Sequence, residues 1–181
     1  MANNHVYIIS GEQGEGKTTR LKEIVNLLQQ AGVKVGGFIA EGTWKEGIRN
    51  RFSLLRIGDR SVFPLCQTEP EEGYIRLKRF WFNPKVIERG EEIIKTCLVE
   101  KTDVIVLDEI GIFELEGNVW HDAFLQLLET DNIHILISVR NSIKNSVIQT
   151  FKLKNYQIYP VADKPELVVK DIKKIWRKIG N

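Results

Sequence analysis

The stretch that decides the fold is "GEQGEGKTTR", residues 11–20. It satisfies G-x-x-x-x-G-K-[ST] through Gly11, Gly16, Lys17 and Thr18, with Gly14 as an additional glycine. Just before it, "VYIIS" (6–10) is a β-branched and aromatic run that reads as a buried strand entering a tight turn. Just after it, Leu21, Ile24, Val25, Leu28 and Ala31 recur at helical spacing until Gly32 stops them. A strand, a glycine loop and a helix in that order make an anion cradle: successive main-chain N–H groups wrap phosphates, and the helix N-terminus adds unpaired donors and partial positive charge.

Residues Gly11, Glu12, Gln13, Gly14, Glu15, Gly16, Lys17, Thr18 and Thr19 are therefore the expected nucleotide-binding set. Two of them, Glu12 and Glu15, carry negative charge where a polyphosphate would sit. The donors of such a loop are backbone amides, so both carboxylates are expected to point outward into solvent. Lys17 is expected to reach the β and γ phosphates.

Working outward, "VKVGGFIA" (33–40) reads as a second strand. The runs around Gly58–Asp59 in "RFSLLRIGDRSVFPLC" then suggest an antiparallel hairpin, and "YIRLKRFWF" (74–82) a further extended stretch, so an excursion over about 49–82 is expected. Asn83–Pro84 start a helix carrying Val86, Ile87, Ile94, Cys97 and Leu98. "DVIVLDE" (103–109) and "IHILISV" (133–139) are continuous apolar strands, with a helix between them marked by Trp120, Ala123, Phe124, Leu127 and Leu128. A helix near Ser142, a short strand at "YQIYP" and a final helix with Val168, Ile172, Ile175, Trp176 and Ile179 complete the chain. The lysine-rich side of that last helix (Lys170, Lys173, Lys174, Arg177, Lys178) reads as a solvated face in preference to an RNA-binding one.

The totals narrow the field further. The chain has 181 residues, 43% hydrophobic and 28% charged, which fits one globular domain. The net charge of +2, from 26 basic and 24 acidic residues, is too small to announce a nucleic-acid or membrane partner. Base stacking by "IRLKRFWF" on single-stranded nucleic acid remains open, although strand packing explains its aromatics at least as well. Cys66 and Cys97 lack a CxxC or a neighbouring histidine and read as buried free thiols, which implies a reducing, cytoplasmic setting. Neither a signal peptide nor a membrane span is expected. His5, His121 and His134 are isolated in sequence and are assigned to neither metal nor catalysis.

A phosphate loop that works with Mg²⁺ needs an acid at the end of a neighbouring strand. Asp108 closes "VIVLD", where with Thr18 it would hold the ion. Glu109 follows directly, and strand alternation is expected to turn it away from Asp108 so that it can activate a water aimed at the γ phosphate. A cation for the transition-state charge is sought in Arg140, which ends "ILISV", with Arg51 and Arg49 next.

The succession "GEQGEGKTT", "VGGFIAEG", a basic-aromatic hairpin, "VIVLDEIGIFEL" and "ILISVR" resembles the bacterial and archaeal nucleoside-triphosphatase family whose vertebrate member is called cancer-related nucleoside-triphosphatase. The similarity runs nearly end to end. Its most specific part is "DEIG" (108–111) followed by "FEL" (113–115), with Phe113 in place of the family's usual methionine. After its "GF" strand the family usually shows Thr, Glu and Arg, whereas Trp44 stands near the arginine's place here.

The resemblance implies a RecA-like P-loop fold: a three-layer α-β-α sandwich on a mostly parallel sheet with an antiparallel hairpin insertion. It also implies slow, magnesium-dependent hydrolysis of ATP, GTP and other nucleoside triphosphates, with Gly11 to Thr18 on the nucleotide, Asp108 on the metal and Glu109 as base. Two alternatives remain open from the residues themselves. One is a nucleoside or nucleotide kinase, whose acceptor enters where the water sits and whose lid could be the hairpin with Arg49, Arg51, Arg56 and Arg60. The other is a nucleotide-gated binding module with an RNA or protein client. No N-K-x-D guanine signature occurs, so broad base use is expected.

Overall fold

The structure is a computed structural model, and it describes residues 4–179. Among these, nine strands form one mixed sheet in the order β5-β6-β4-β3-β2-β7-β8-β1-β9. In chain order the elements are β1 (His5–Ser10), α1 (Lys17–Gln30), β2 (Val35–Lys45), β3 (Ile48–Arg56), β4 (Val62–Gln67), β5 (Ile75–Leu77), β6 (Phe80–Phe82) and α2 (Pro84–Val99). Then follow β7 (Val104–Leu107), α3 (Ile112–Leu115), α4 (His121–Glu129), β8 (His134–Val139), a short 3₁₀ turn (Asn141–Ile143), α5 (Lys144–Thr150), β9 (Tyr156–Pro160) and α6 (Pro165–Ile179).

Five strands, β2-β7-β8-β1-β9, run parallel, and the inner three, β7, β8 and β1, are buried on both faces by side chains that alternate between two cores. Tyr7 and Ile9 of β1 join Leu21, Ile24, Val168 and Ile172 of α1 and α6 on one side. Val6 and Ile8 join Ile94 of α2, Phe124 of α4 and Val147 of α5 on the other. This is the expected three-layer arrangement. The Asn83 side chain accepts from the Lys85 N–H at 3.1 Å and Pro84 occupies the first turn, so α2 starts where the sequence places it.

Two close approaches require glycine. Gly37, at φ 95°, lies where a Cβ would come within 2.1 Å of the Val106 carbonyl oxygen. Gly90 of α2 lies where a Cβ would come within 2.3 Å of the Trp120 ring, so the absence of a side chain lets α2 seat on that indole.

The excursion over 49–82 is larger than a hairpin. β2 continues past Ala40 to Lys45 and turns at Glu46–Gly47, both at positive φ, to pair antiparallel with β3. The hairpin around Gly58–Asp59 is the β3–β4 pair. "YIRLKRFWF" is itself split by a turn at Lys78 into β5 and β6, and β6 pairs with β4. Four antiparallel strands thus extend the parallel sheet beyond β2. Phe80 and Phe82 are buried in this extension, as strand packing of the aromatics requires. The short helix α3, with Phe113 on it, is an element that the apolar periodicity did not announce.

Of the last helix, Val168 and Ile172 are buried against α1, while Lys170 and Lys174 are exposed. The side chains of Arg177, Lys178 and Ile179 lie outside the described residues. Cys66 and Cys97 are free and buried, and burial pushes the Cys66 thiol up to about 12 and raises that of Cys97.

Candidate active site

Strand register brings the site together. β7 pairs with β8 as Leu107↔Ile137, so the next residue, Asp108, stands level with Ser138. β1 pairs with β8 as Ser10↔Val139, so Gly11 stands level with Arg140. The glycine loop, the two acids and the arginine therefore leave the carboxyl ends of three adjacent parallel strands, where ligands of open α/β sheets bind.

Asp108 is buried, and both its oxygens are occupied. Thr18 Oγ1 donates to Asp108 Oδ2 at 2.9 Å, and Ser138 Oγ donates to Asp108 Oδ1. The loop and the end of the 103–109 strand are in direct contact, as the sequence reading requires. Desolvation pushes the Asp108 carboxyl up to about 6, against the hydroxyl bonds that pull the other way.

These donors suit a hard divalent cation. A hydroxyl and a carboxylate supply oxygen ligands, and positive charge beside Asp108 offsets the burial that raises its pKa. Among the described residues no cluster of three or more His, Cys, Asp or Glu could cage a metal alone. One carboxylate and one hydroxyl would leave the remaining positions of such an ion to the substrate's phosphates and to water.

Glu109 lies between two cations. Lys17 Nζ is 3.9 Å from its Oε2, and Arg140 Nε donates to its Oε1 at 3.1 Å. β7 ends at Leu107, so Glu109 lies in the connection after the strand and strand alternation does not set its direction. Lys17 is itself buried and donates to the Glu12 carbonyl at 2.9 Å, which holds the ammonium over the loop.

Within the loop, Gln13, Gly14, Gly16, Lys17, Thr18 and Thr19 border a cavity of about 520 Å³ that also reaches Asp108, Glu109 and Arg140. Gly11, Glu12 and Glu15 do not border it. The outward picture of the two acids needs a correction. Both are exposed, but the Glu15 carboxylate folds back, and the Glu12 N–H donates to its Oε2 at 2.6 Å. That amide is thus engaged within the loop, so Glu12 presents no free donor here. Of the secondary arginine candidates, Arg49 borders the cavity and stacks over Trp44 at 4.4 Å, whereas Arg51 does not border it.

Three contributors escaped the sequence reading. Ser138 was legible as the lone hydroxyl in an otherwise apolar buried strand. Glu114 of "FEL" is buried and accepts from the Gly111 N–H at 2.8 Å and the Trp120 N–H at 3.3 Å, tying down the turn after Glu109. Burial pushes its carboxyl up to about 7. His121, isolated in sequence, is not isolated in space, since its Nδ1 is 2.7 Å from the Glu114 carbonyl oxygen. The third is an apolar wall of Phe52, Leu65, Cys66, Phe80 and Phe82 that comes from the antiparallel extension.

A family model described as NTPase matches residues 6–172. The chain belongs to this NTPase family. The family's reaction is hydrolysis of nucleoside triphosphates, in agreement with the resemblance read from the motifs. The nucleoside-triphosphatase THEP1 of Methanopyrus kandleri is 33% identical over 119 residues, 66% of this chain and 64% of that protein. THEP1 of Methanosarcina acetivorans is 28% identical over 176 residues, 95% of this chain and 97% of that protein. The crystal structure of THEP1 from Aquifex aeolicus superposes with a TM-score of 0.71 at 18% identity, covering 94% of this chain and 98% of that one. The solution structure of a human cancer-related nucleoside triphosphatase gives 0.69 at 23% identity, covering 97% and 98%. These likenesses establish the α/β fold described above.

Proposed function

We propose that this chain, acting as one domain, hydrolyses nucleoside 5'-triphosphates to the diphosphate and phosphate with Mg²⁺, and that Glu109 activates the water. The observation that carries the proposal is the 2.9 Å bond from Thr18 to Asp108, with Glu109 alongside against Lys17 and Arg140. That one cluster of side chains supports reading the loop as the phosphate cradle, Asp108 as the metal-side acid and Glu109 as the base.

The amides of Gln13 to Thr19 and the Lys17 ammonium bind the polyphosphate. Thr18 and Asp108 would hold the Mg²⁺, whose positive charge would offset the negative charge of the phosphates. Glu109 accepts the proton of a water lined up with the γ phosphorus. Arg140 serves two ends: it orients the Glu109 carboxylate, and its guanidinium offers charge to the γ oxygens as the bond to the leaving diphosphate lengthens. A polyphosphate also competes with Glu109 for Lys17, so substrate binding frees the carboxylate to take its proton.

Base selectivity is low in this reading, since the site's charged groups all address phosphates. The substrates are ATP, GTP and their pyrimidine counterparts. The buried free thiols support a reducing, cytoplasmic setting, and no helix among the described residues is long and apolar enough to cross a membrane.

The test is phosphate release from ATP, GTP, CTP and UTP, with and without Mg²⁺, for wild type and Glu109→Gln. Release by wild type should require the metal and vary little with the base. The variant should lose roughly 10²- to 10⁴-fold in kcat, the usual worth of a positioned general base. Equal rates in the two proteins would remove Glu109 from the mechanism.

A further inference from the structure

A hydrolase needs room for one water, about 30 Å³, beyond the γ phosphate. The cavity here, polyphosphate site included, is about 520 Å³, and it does not stop at that site. From Glu109 it continues past Phe113 and Val119 to Trp120 and to the wall formed by Phe52, Phe80 and Phe82. Phe80, Phe82 and Trp120 are buried, so this far end is a built compartment and not an open surface.

The strand order says what this compartment is not. The loop follows β1, and Glu109 follows β7, two places along the sheet toward β2. Lys17 and Glu109 mark the γ end of a bound triphosphate, since the loop lysine reaches the β and γ phosphates. The aromatic wall stands on β3 and β6, further along the sheet in the same direction. A nucleotide's own base lies at the opposite end of its phosphate chain from the γ group. The compartment beyond Glu109 is therefore on the wrong side for it.

Two features define an occupant. The wall is aromatic and aliphatic, and its buried carboxyl, Glu114, already accepts two backbone N–H groups, so the bound part is an uncharged flat ring. The group facing the γ phosphate meets a carboxylate. An alcohol there has a proton that Glu109 can take, whereas a fully ionised phosphate has none to give.

We propose that this compartment is an acceptor site for an uncharged aromatic alcohol of nucleoside size, and that the chain transfers the γ-phosphoryl group to its hydroxyl, with hydrolysis as the reaction in its absence. This rests on the reading that the loop binds a triphosphate with Glu109 as base. In the step, the hydroxyl oxygen forms a bond to the γ phosphorus and its proton passes to Glu109. The bond from the γ phosphorus to the β–γ bridging oxygen breaks, and its electron pair leaves with the nucleoside diphosphate. The products are that diphosphate and the phosphate monoester of the alcohol.

The test follows the label from γ-³²P-ATP and γ-³²P-GTP with Mg²⁺ and each of the four ribonucleosides and four 2'-deoxyribonucleosides, separating labelled nucleoside monophosphate from inorganic phosphate. At least one nucleoside should take label in preference to water. Val119→Trp, which fills the compartment, should lower the ratio of transfer to hydrolysis at least tenfold. Phe52→Ala, which removes part of the wall, should lower it in the same direction and serves where the first variant does not fold. Label found only in inorganic phosphate with every nucleoside would overturn the acceptor site while leaving the hydrolytic reading intact. Label leaving the triphosphate by neither route would overturn the hydrolytic reading and the acceptor site together. Transfer insensitive to both variants would place the acceptor elsewhere and overturn the assignment of this compartment.

Discussion

The two halves of the sheet do different work. In the parallel half, β2-β7-β8-β1-β9, the inner strands β7, β8 and β1 are buried between helices, and the polar groups at their carboxyl ends touch one another: Thr18 to Asp108, Ser138 to Asp108, Arg140 to Glu109. In the antiparallel half, β3-β4-β6-β5, the strands are for the most part only half-buried, and what they give the site is a wall of rings. One half carries the charges that act on phosphate. The other shapes the space beside them. The contrast teaches that loss of activity and loss of shape should come from different residues.

The largest expected effect lies in the parallel half. Lys17→Ala removes the buried ammonium over the loop and should cost roughly 10²- to 10³-fold in kcat/KM for triphosphate hydrolysis, with the thermal midpoint little changed. An equal loss from Arg51→Ala, which does not border the cavity, would break the division between the halves.

Next comes the turn that joins the acids to α4. Glu114 has its carboxyl pushed up to about 7 by burial, against an ordinary 4.5, so the folded chain binds this proton more tightly than the unfolded one. Its contribution to stability is fully present below about 4.5 and is lost as pH rises through about 7. Wild type should therefore gain stability relative to Glu114→Gln as pH falls from 8 to 5, by up to about 3 kcal/mol at 1.36 kcal/mol per pK unit. Parallel pH profiles from chemical denaturation of the two proteins would contradict this.

A purely steric change follows. Gly90→Ala sets a methyl group 2.3 Å from Trp120, between α2 and a ring that borders the cavity. Overpacking of this kind costs about 1–3 kcal/mol, or a few degrees in midpoint for a chain of this size. Smallest of all, Glu15→Gln keeps an oxygen that can accept from the Glu12 N–H while removing an exposed charge, so nucleotide affinity should rise by less than about tenfold. Titration with a labelled nucleotide at low and moderate salt checks both the sign and its screening.

The same contrast explains what could be read in advance. The phosphate loop, Asp108, Glu109 and Arg140 follow continuous apolar runs, and parallel pairing of those strands brings their carboxyl ends together. The antiparallel half offered no such signal. β5 and β6 are three residues each, and the turn between them at Lys78 contains no glycine or proline, so "YIRLKRFWF" reads as one strand. Phe52, Cys66, Phe80 and Phe82 share a cavity only because β3, β4 and β6 pair as they do, which is a tertiary fact. The fold-back of Glu15 is likewise local geometry that no spacing rule encodes.

Trp44 is the point where the halves meet. It is about half exposed on the arm that continues from β2, carries Arg49 on its face, and its ring edge would stand 3.6 Å from a Cβ on Gly14 of the phosphate loop. An indole so placed is a built-in optical probe: its emission responds to whatever fills the loop beside it, and with Trp81, Trp120 and Trp176 replaced by phenylalanine the occupancy of the cradle could be followed in real time without any attached dye.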